Sequence, residues 1–215
     1  MSTRILLADD HTMVREGLKA VIQKEFDVVG EAGNGVDTVR LAKKLSPHVI
    51  IMDIGMPDLN GIEATRQIVR DNSASKIIAL SVHSDQQYVA EMLRAGASGY
   101  LLKRSAAEEL ITAIRAVTSG RTYLSPDLVG GVVEKFVRQP SVAREPDAFT
   151  DLTVREREVL QVLAEGRSTK DIADGLGVSI KTVETHRRNI MQKLDVHSIA
   201  GLTKYAIRQG ITTTE

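Results

Sequence analysis

Short apolar runs alternate with helix-patterned segments in the first half of this chain, and this alternation constrains its fold most. Five such runs lie at residues 5–8, 28–31, 49–52, 77–80 and 99–102. The run at 49–52, Val-Ile-Ile-Met, is apolar throughout, as is typical of a strand buried on both faces of a parallel sheet. Between the runs, apolar residues such as Val14, Leu18 and Ile22 recur at helical spacing. The pattern predicts a three-layer, doubly wound α/β domain with a five-stranded parallel sheet.

The second half of the chain has a different character. Residues 125–149 are polar and punctuated by proline, as a linker would be, although 127–137 also has the spacing of a short helix. After residue 149 the strand signals disappear and helix starts recur, the first being a capping box of Thr153 and Glu156. We therefore predict an α/β domain over 1–124, a linker over 125–149 that could include a short helix, and a small all-α domain over 150–215.

Composition excludes some classes of protein. Basic and acidic residues number 28 each, so any contact with nucleic acid must come from a local arrangement of charge. The absence of cysteine excludes disulfides and thiolate metal sites. The N-terminal apolar run is too short for a signal peptide, and no run could span a bilayer. We expect a cytoplasmic protein that does not bind membranes.

Polar side chains follow four of the five predicted strands at the point where each strand ends. Asp9 and Asp10 follow the first strand, Asp53 the third, Ser81 the fourth and Lys103 the fifth. The carboxyl ends of parallel strands meet at one edge of the sheet, so these groups should converge. Three carboxylates repel one another unless a cation joins them, and oxygen ligands without His or Cys favour Mg²⁺. Lys103 would help to neutralise an incoming phosphoryl group, leaving Asp53 as the nucleophile that forms an acyl phosphate.

Each of these residues also has a simpler interpretation when it is taken alone. The Asp9-Asp10 pair could cap a helix that starts near Thr12, Lys103 could be a solvated surface lysine, and Ser81 could be a turn residue. Four strands that each end in the required residue type are improbable by chance. The combination therefore favours the phosphoryl site.

The segments around these strand ends carry a pattern known from one family. It comprises Asp9-Asp10, the stretch MDIGMPDLNG around Asp53, Ser81 and the run Tyr100-Leu101-Leu102-Lys103. The pattern resembles the receiver domain of response regulators, which has a flavodoxin-like fold. The resemblance implies that Asp53 becomes 4-aspartylphosphate and that Ser81 and Lys103 bind the phosphoryl oxygens. It also implies that Tyr100 is a switch residue that turns inward when Ser81 is drawn to the phosphate.

The same resemblance implies a metal cofactor and a phosphoryl donor. Mg²⁺ would be held by Asp10, Asp53 and the backbone carbonyl of Gly55, with Asp9 acting mostly through water. A partner histidine kinase would donate the phosphoryl group. The protein would not be an enzyme beyond catalysing its own phosphorylation and dephosphorylation.

The helix expected to start after Ser179 has two contrasting faces. Val183, Ile190 and Leu194 share one face, which should be buried. The opposite face and its flanks are mostly polar: Lys181, Glu184, Thr185, Arg188, and at the flanks Arg187 and Lys193. A short helix over 169–174 and a glycine turn precede this helix, so the pair predicts a helix-turn-helix whose second helix enters the major groove.

Local charge and side-chain chemistry on this helix suit double-stranded DNA. Between residues 178 and 208, six basic residues stand against two acidic ones, a net charge of +4. That charge can hold phosphates, while Arg188 has the forked geometry to read guanine and Thr185 the methyl group to meet thymine. A partner-binding helical module with a merely solvated charged face is the alternative.

The all-α region also resembles a known family. The matching segments are LTVREREVL at 152–160, Ile172-Ala173, KTVETH at 181–186 and Lys193-Leu194. They resemble the LuxR-type DNA-binding domain, and with the receiver they are similar to the NarL/FixJ class of two-component transcriptional regulators over nearly the whole chain. The resemblance implies base contacts from Glu184, Thr185 and Arg188, and places Thr182, Arg187 and Lys193 near the phosphate backbone. Glu184 replaces a frequently basic residue, which means either a cytosine contact or a different operator.

The last predicted helix suggests self-association. Its apolar residues Ile199, Leu202, Ala206 and Ile207 offer more surface than a four-helix domain buries, which suits a homodimer contact. We thus expect a transcription factor that binds promoter DNA as a dimer after Asp53 is phosphorylated.

Two other functions fit parts of the pattern. A phosphatase or phosphotransferase with an aspartate nucleophile needs a second carboxylate two residues further on, where this chain has Gly55. A receiver-containing adaptor whose helical tail binds protein differs from a regulator in failing to bind DNA.

Overall fold

The structure of the protein is a computed structural model, and it describes residues 2–71, 74–82, 86–130, 152–209 and 211–212. The chain divides into two compact units, Met1–Pro140 and Ser141–Glu215. Among the helices in the described ranges, none has the length and apolar content needed to cross a bilayer.

The first unit alternates strands and helices. Its strands are β1 (Arg4–Ala8), β2 (Asp27–Ala32), β3 (Val49–Asp53), β4 (Lys76–Ser81), β5 (Gly99–Leu102) and β6 (Tyr123–Leu124). Its helices are α1 (Thr12–Ile22), α2 (Gly35–Leu45), α3 (Gly61–Arg70), α4 (Gln86–Arg94) and α5 (Ala106–Thr118), with a 3-10 turn at Lys103–Ser105. All pairings are parallel, in the order β2-β1-β3-β4-β5-β6. The predicted fold class is confirmed, but the two-residue strand β6 makes the sheet six-stranded.

Successive residues of each inner strand pack on opposite faces of the sheet. On β3, Ile50 and Met52 join the cluster that includes side chains of α2, α3 and α4, whereas Val49 and Ile51 join the cluster formed with α1 and α5. All five residues of β3 are buried. A strand covered by helices on both faces has no polar side, which is why the run at 49–52 is apolar throughout.

Asparagine side chains cap the starts of two helices in the first unit. Asn34 accepts a hydrogen bond from the Asp37 backbone N–H at the start of α2, and Asn60 does the same for Glu63 at the start of α3. Gly61 then brings α3 close to β3, because a β-carbon there would lie 2.0 Å from the Asp53 carbonyl oxygen. The loop after Asp53 is thus held tightly against the strand end.

The described residues of the second unit form four helices: α6 (Val154–Ala164), α7 (Thr169–Leu176), α8 (Ile180–Leu194) and α9 (Ile199–Arg208). Thr153 and Glu156 form the predicted capping box, and Ser168 and Ser179 cap α7 and α8. Gly177 adopts the left-handed conformation, φ +63°, between α7 and α8. A side chain would strain the chain there, so glycine permits the sharp turn of the predicted helix-turn-helix.

Only the first part of the linker predicted over 125–149 is described. Residues 126–130 are helical, and Leu128 is buried in the first unit's core. The rest of the predicted helix over 127–137, and the linker after it, lie outside the described residues. The boundaries at 124 and 149 stay predictions.

We predict that Gly61→Ala destabilises the first unit. The added methyl group would meet the Asp53 backbone, and such overpacking typically costs about 1 to 3 kcal/mol. Gly17→Ala is the matched control. Gly17 lies in α1, and beyond its chain neighbours and its own helix backbone no atom of the described residues lies within 4 Å of a β-carbon there. Alanine at this position should raise the free energy of unfolding by up to about 1 kcal/mol. Urea unfolding measures both changes. A Gly61→Ala protein as stable as the wild type would contradict this packing.

Candidate functional site

The predicted strand-end residues meet around the ammonium group of Lys103. Its Nζ lies 2.8 Å from Asp9 Oδ2 and 2.9 Å from Asp53 Oδ2. Both carboxylates are buried, with 1% and 5% of their residue surfaces exposed. The strand order places β1 next to β3, with β5 beyond β4, so the lysine reaches across β4 to both acids. The interpretation of Lys103 as a freely solvated surface lysine is wrong.

The loop after β1 holds the two adjacent aspartates in place. Asp9 Oδ1 accepts a hydrogen bond from the His11 backbone N–H at 2.8 Å. Arg15, one turn into α1, donates to the Asp9 carbonyl oxygen at 2.6 Å. The N-cap residue of α1 is His11, which makes no side-chain cap bond, so neither Asp9 nor Asp10 is the N-cap of that helix.

Two residues near this site escaped the sequence interpretation. His11 Nδ1 lies 2.8 Å from Asp10 Oδ1. The Arg15 guanidinium donates a hydrogen bond to the backbone carbonyl of Asp9. The position of His11 directly after two strand-end acids was the available signal. Its imidazole corrects the argument that the site holds no histidine.

The donor set fits a small divalent cation. One possible ligand atom from each of Asp9, Asp10, His11 and Asp53 lies within 4.8 Å of the others. Three of these groups are carboxylates, the ligands that Mg²⁺ prefers. The fourth is an imidazole with 57% of its side chain exposed, so the buried part of the donor set consists of oxygen atoms.

The electrostatics of the site are unfavourable for a charged Asp53. Burial raises the pKa of Asp53, and the neighbouring Asp9 raises it further, while Lys103 opposes both effects. Burial would lower the pKa of Lys103, but Asp53 and Asp9 prevail and raise it. The lysine therefore stays charged, while Asp53 would gain from any additional cation.

The remaining predicted residues lie along the same edge of the sheet. Ser81 ends β4 and pairs in register with Leu102, the residue before Lys103. Gly55 donates a long hydrogen bond, 3.4 Å, from its backbone N–H to Asp53 Oδ1. Tyr100, in β5, is fully buried. Tyr100 belongs to the core cluster of the first unit, while its role as a switch residue stays a prediction.

Helix α8 presents the predicted faces in the second unit. Val183, Ile190 and Leu194 are buried, as expected. The polar residues of the opposite face are exposed or half-buried: Lys181, Thr182, Glu184, Thr185, Arg187, Arg188 and Lys193. The Thr185 hydroxyl donates to the Lys181 carbonyl at 2.9 Å, so its proton is used within the helix while its oxygen can still accept a hydrogen bond.

Lys193 has a partner inside the second unit. Its Nζ lies 2.7 Å from Oε2 of the buried Glu156, which also accepts a 2.8 Å bond from the Thr153 N–H. Burial alone would raise the pKa of Glu156, but the bonds from Lys193 and Thr153 outweigh it and lower the pKa. This ion pair joins the start of α6 to the end of α8, and sequence spacing gave no sign of it.

Helix α9 divides its apolar residues between the core and the surface. Leu202 and Ala206 are buried in the core of the second unit, whereas Ile199 is 49% exposed. Part of the apolar stripe predicted for a dimer contact is therefore used within the unit itself.

Comparison with known families matches both units. The family model described as "Response regulator receiver domain" matches residues 5–115. The family model described as "Bacterial regulatory proteins, luxR family" matches residues 150–206. The first match contains the whole acidic cluster and Lys103, and the second contains α6, α7 and α8. Each match thus covers the elements that build the site in its unit.

Relatives match along nearly the full length. The transcriptional regulatory protein LiaR of Bacillus subtilis is 44% identical over 95% of this chain and 97% of its own. The RcsB response regulator of Salmonella typhimurium shares 26% identity, with a TM-score of 0.59, over 95% of this chain and 97% of that one. A structure of an RcsB–DNA complex shares 27% identity, with a TM-score of 0.59, over 95% of this chain and 98% of that one. The chain therefore belongs to the response regulators that join a receiver domain to a LuxR-type DNA-binding domain.

Proposed function

We propose that this protein is a transcriptional regulator in which phosphorylation of Asp53 controls DNA binding by α8. The observation that carries the proposal is the bridge from Lys103 to the buried carboxylates of Asp9 and Asp53. A buried acid with a raised pKa beside a fixed ammonium group is poised to react with a phosphoryl donor.

In the proposed reaction, an Asp53 carboxylate oxygen attacks phosphorus in the donor. A new O–P bond forms an acyl phosphate, and the bond from phosphorus to the donor's nitrogen or oxygen breaks. Lys103, now 2.9 Å from Asp53, would turn its ammonium toward the added phosphoryl oxygens. The Ser81 hydroxyl, at the end of the neighbouring strand, would donate to another of these oxygens. In this scheme a histidine kinase supplies the phosphoryl group.

Asp9, Asp10, Asp53 and the Gly55 carbonyl would hold Mg²⁺. When bound, the ion supplies positive charge that offsets both the carboxylates and the incoming phosphoryl oxygens. Asp10 is the most accessible acid of the cluster, with 27% of its side chain exposed. We infer that it provides the entry point for the ion.

For DNA, α8 would enter the major groove with Lys181, Glu184, Thr185 and Arg188 toward the bases and backbone. Thr182, Arg187 and Lys193 would lie near phosphates. The similarity to RcsB, which has been solved with DNA, supports this role. DNA binding also supports a cytoplasmic location, since bacterial DNA lies there.

We further propose that the active form is a homodimer. Two recognition helices must be about one helical turn apart, roughly 34 Å, to read two half-sites. The exposed Ile199 on α9 is a candidate contact. If phosphorylation induces this dimer, it should raise the affinity for DNA with two half-sites more than the affinity for DNA with a single half-site.

We predict that acetyl phosphate with Mg²⁺ adds one phosphoryl group to the wild type and none to Asp53→Asn, by intact-mass spectrometry. The phosphorylated wild type should bind DNA with two half-sites more tightly than the unphosphorylated wild type does. A suitable DNA can be obtained by selection from random sequences. Asp10→Asn should require more Mg²⁺, because a neutral amide replaces a carboxylate ligand.

Asp37→Asn is the control for that experiment, because Asp37 lies on α2 and pairs with Arg40. It should be labelled like the wild type. Full labelling of Asp53→Asn would refute the assignment of the nucleophile, and unchanged DNA affinity after labelling would refute the proposed coupling.

We predict that Asp53→Asn raises the free energy of unfolding at pH 7 in EDTA. Burial and Asp9 make the ionised Asp53 carboxylate unfavourable in the folded protein, which is why its pKa is raised. Above that pKa the charge lowers the free energy of unfolding of the wild type, and protonation removes this destabilisation at lower pH. The advantage of the variant should therefore shrink as the pH falls through that pKa.

Asp37→Asn should show the opposite sign in the same measurement. The hydrogen bond from Arg40 lowers the pKa of Asp37, so its carboxylate stabilises the fold at neutral pH and this contribution is lost as the pH falls. Unfolding curves from pH 4 upward would measure both variants. A loss of stability in Asp53→Asn at pH 7 would contradict the electrostatic picture.

We predict different DNA-binding defects for Arg188→Ala and Lys193→Ala. Arg188→Ala should cost about 1 to 3 kcal/mol and relax the preference at one base position per half-site. Lys193→Ala should lower the affinity for all DNA sequences alike. If one phosphate contact is lost, the slope of log affinity against log salt concentration should become less steep by about 0.9.

Glu156→Gln separates the two contacts of Lys193. This substitution removes the internal ion pair but leaves the Lys193 ammonium group available to a DNA phosphate. The salt dependence of DNA affinity should therefore not become weaker. Equal loss of specificity in Arg188→Ala and Lys193→Ala, measured on a panel of single-base operator variants, would show that the recognition face is misassigned.

A further inference from the structure

A buried serine lies where the receiver sheet ends and the chain leaves toward the DNA-binding unit. Ser125 directly follows β6 and directly precedes the helical residues 126–130. It is only 1% exposed, although the sequence there is polar and contains proline. A small polar residue so fully buried must have its hydroxyl satisfied within the protein.

The Ser125 hydroxyl connects β5 to α5. Its Oγ accepts a hydrogen bond from the Leu102 backbone N–H at 3.2 Å and donates one to Glu109 Oε2 at 2.8 Å. The same Glu109 oxygen accepts a 3.1 Å bond from the Tyr123 hydroxyl. Glu109 thus holds the two side chains that begin the exit from the sheet.

The bond to Leu102 acts on the backbone next to the phosphoryl site. Leu102 is the last residue of β5, and Lys103 is its neighbour in the chain. A bond to the Leu102 N–H therefore restrains the backbone that carries Lys103. The Lys103 ammonium is in turn engaged with Asp53 at 2.9 Å, the proposed site of phosphorylation.

Ser125 also organises the first turn of the segment that leaves the receiver. Its N–H donates to the Tyr100 carbonyl at 3.0 Å, and its own carbonyl accepts from the Leu128 N–H at 2.9 Å. Leu128 is 4% exposed and belongs to the core cluster that contains Tyr100 and Leu102. The departing chain is therefore seated directly against β5.

We propose that Ser125 is a positioning residue that couples Lys103 to the segment leading to the DNA-binding unit. When Lys103 turns from the carboxylates to a phosphoryl group on Asp53, the backbone at Leu102 shifts. The shift alters the bond to Ser125 and with it the seating of residues 126–130. Coupling free energies are reciprocal, so the state of this segment also affects how readily Asp53 is phosphorylated. The inference rests on the proposed function.

The test compares full-length wild type with Ser125→Ala. The measured quantity is the ratio of DNA affinities of the phosphorylated and unphosphorylated proteins on one two-half-site DNA at fixed salt. Ser125→Ala should reduce this ratio by about 2- to 30-fold and leave the unphosphorylated affinity unchanged. A purely structural role would lower the melting temperature without changing the ratio.

Two variants serve as controls. Ser119→Ala removes a serine whose hydroxyl bonds to the Arg115 carbonyl at the end of α5, away from Leu102, and should keep the wild-type ratio. Glu109→Gln retains an acceptor oxygen for Ser125 and should keep most of the ratio. A wild-type ratio in Ser125→Ala would overturn the proposal.

Hydrogen exchange in the wild type tests the same idea without any substitution. The backbone N–H groups of Ser125 and Leu128 should change their exchange rates on phosphorylation, and an unchanged rate at both would overturn the coupling. Failure of the proposed function has a different signature, because the wild type itself would then show equal DNA affinity before and after labelling.

Discussion

The ammonium group of Lys103 stands between two buried carboxylates, and the receiver site depends on this contact. Asp9 directly follows β1 and Asp53 ends the adjacent strand β3, so their charges lie close together and repel each other. Burying unpaired charges is expensive, so an edge with two such acids is tenable only with a cation between them. The lysine provides that cation through two short contacts. Burial and the neighbouring Asp9 nevertheless keep the pKa of Asp53 raised, although Lys103 opposes them, so the Asp53 carboxylate would gain from a metal ion beside it.

The DNA-binding unit uses a related device. Glu156 is buried at the start of α6 and receives bonds from Thr153 and Lys193. One carboxylate therefore satisfies the first turn of its own helix and also holds the end of α8. Because α8 carries the proposed recognition residues, this ion pair helps to orient them. In both units, a buried acid and a lysine distant in sequence join elements that must act together.

Much of the fold follows from local patterns. Apolar runs at 5–8 and 49–52 predicted β1 and β3 because a strand covered by helices on both faces buries apolar side chains in both directions along most of its length. The capping box at Thr153 predicted the start of α6 because its bonds form between near neighbours. Strand β6 escaped prediction because two residues carry no periodicity, and only its pairing with β5 makes them a strand.

For the site, the sequence by itself determined which residues end the strands and which face of α8 is polar. These properties depend on residue spacing, which the chain carries locally. The tertiary structure alone decided that His11 joins the acids, that Lys193 pairs with Glu156, and that Ser125 bonds to Leu102. Such contacts form between side chains and backbone groups whose directions are set by packing of whole elements. Spacing along the chain does not encode those directions, so these contacts emerge only when the sheet and the helices have assembled.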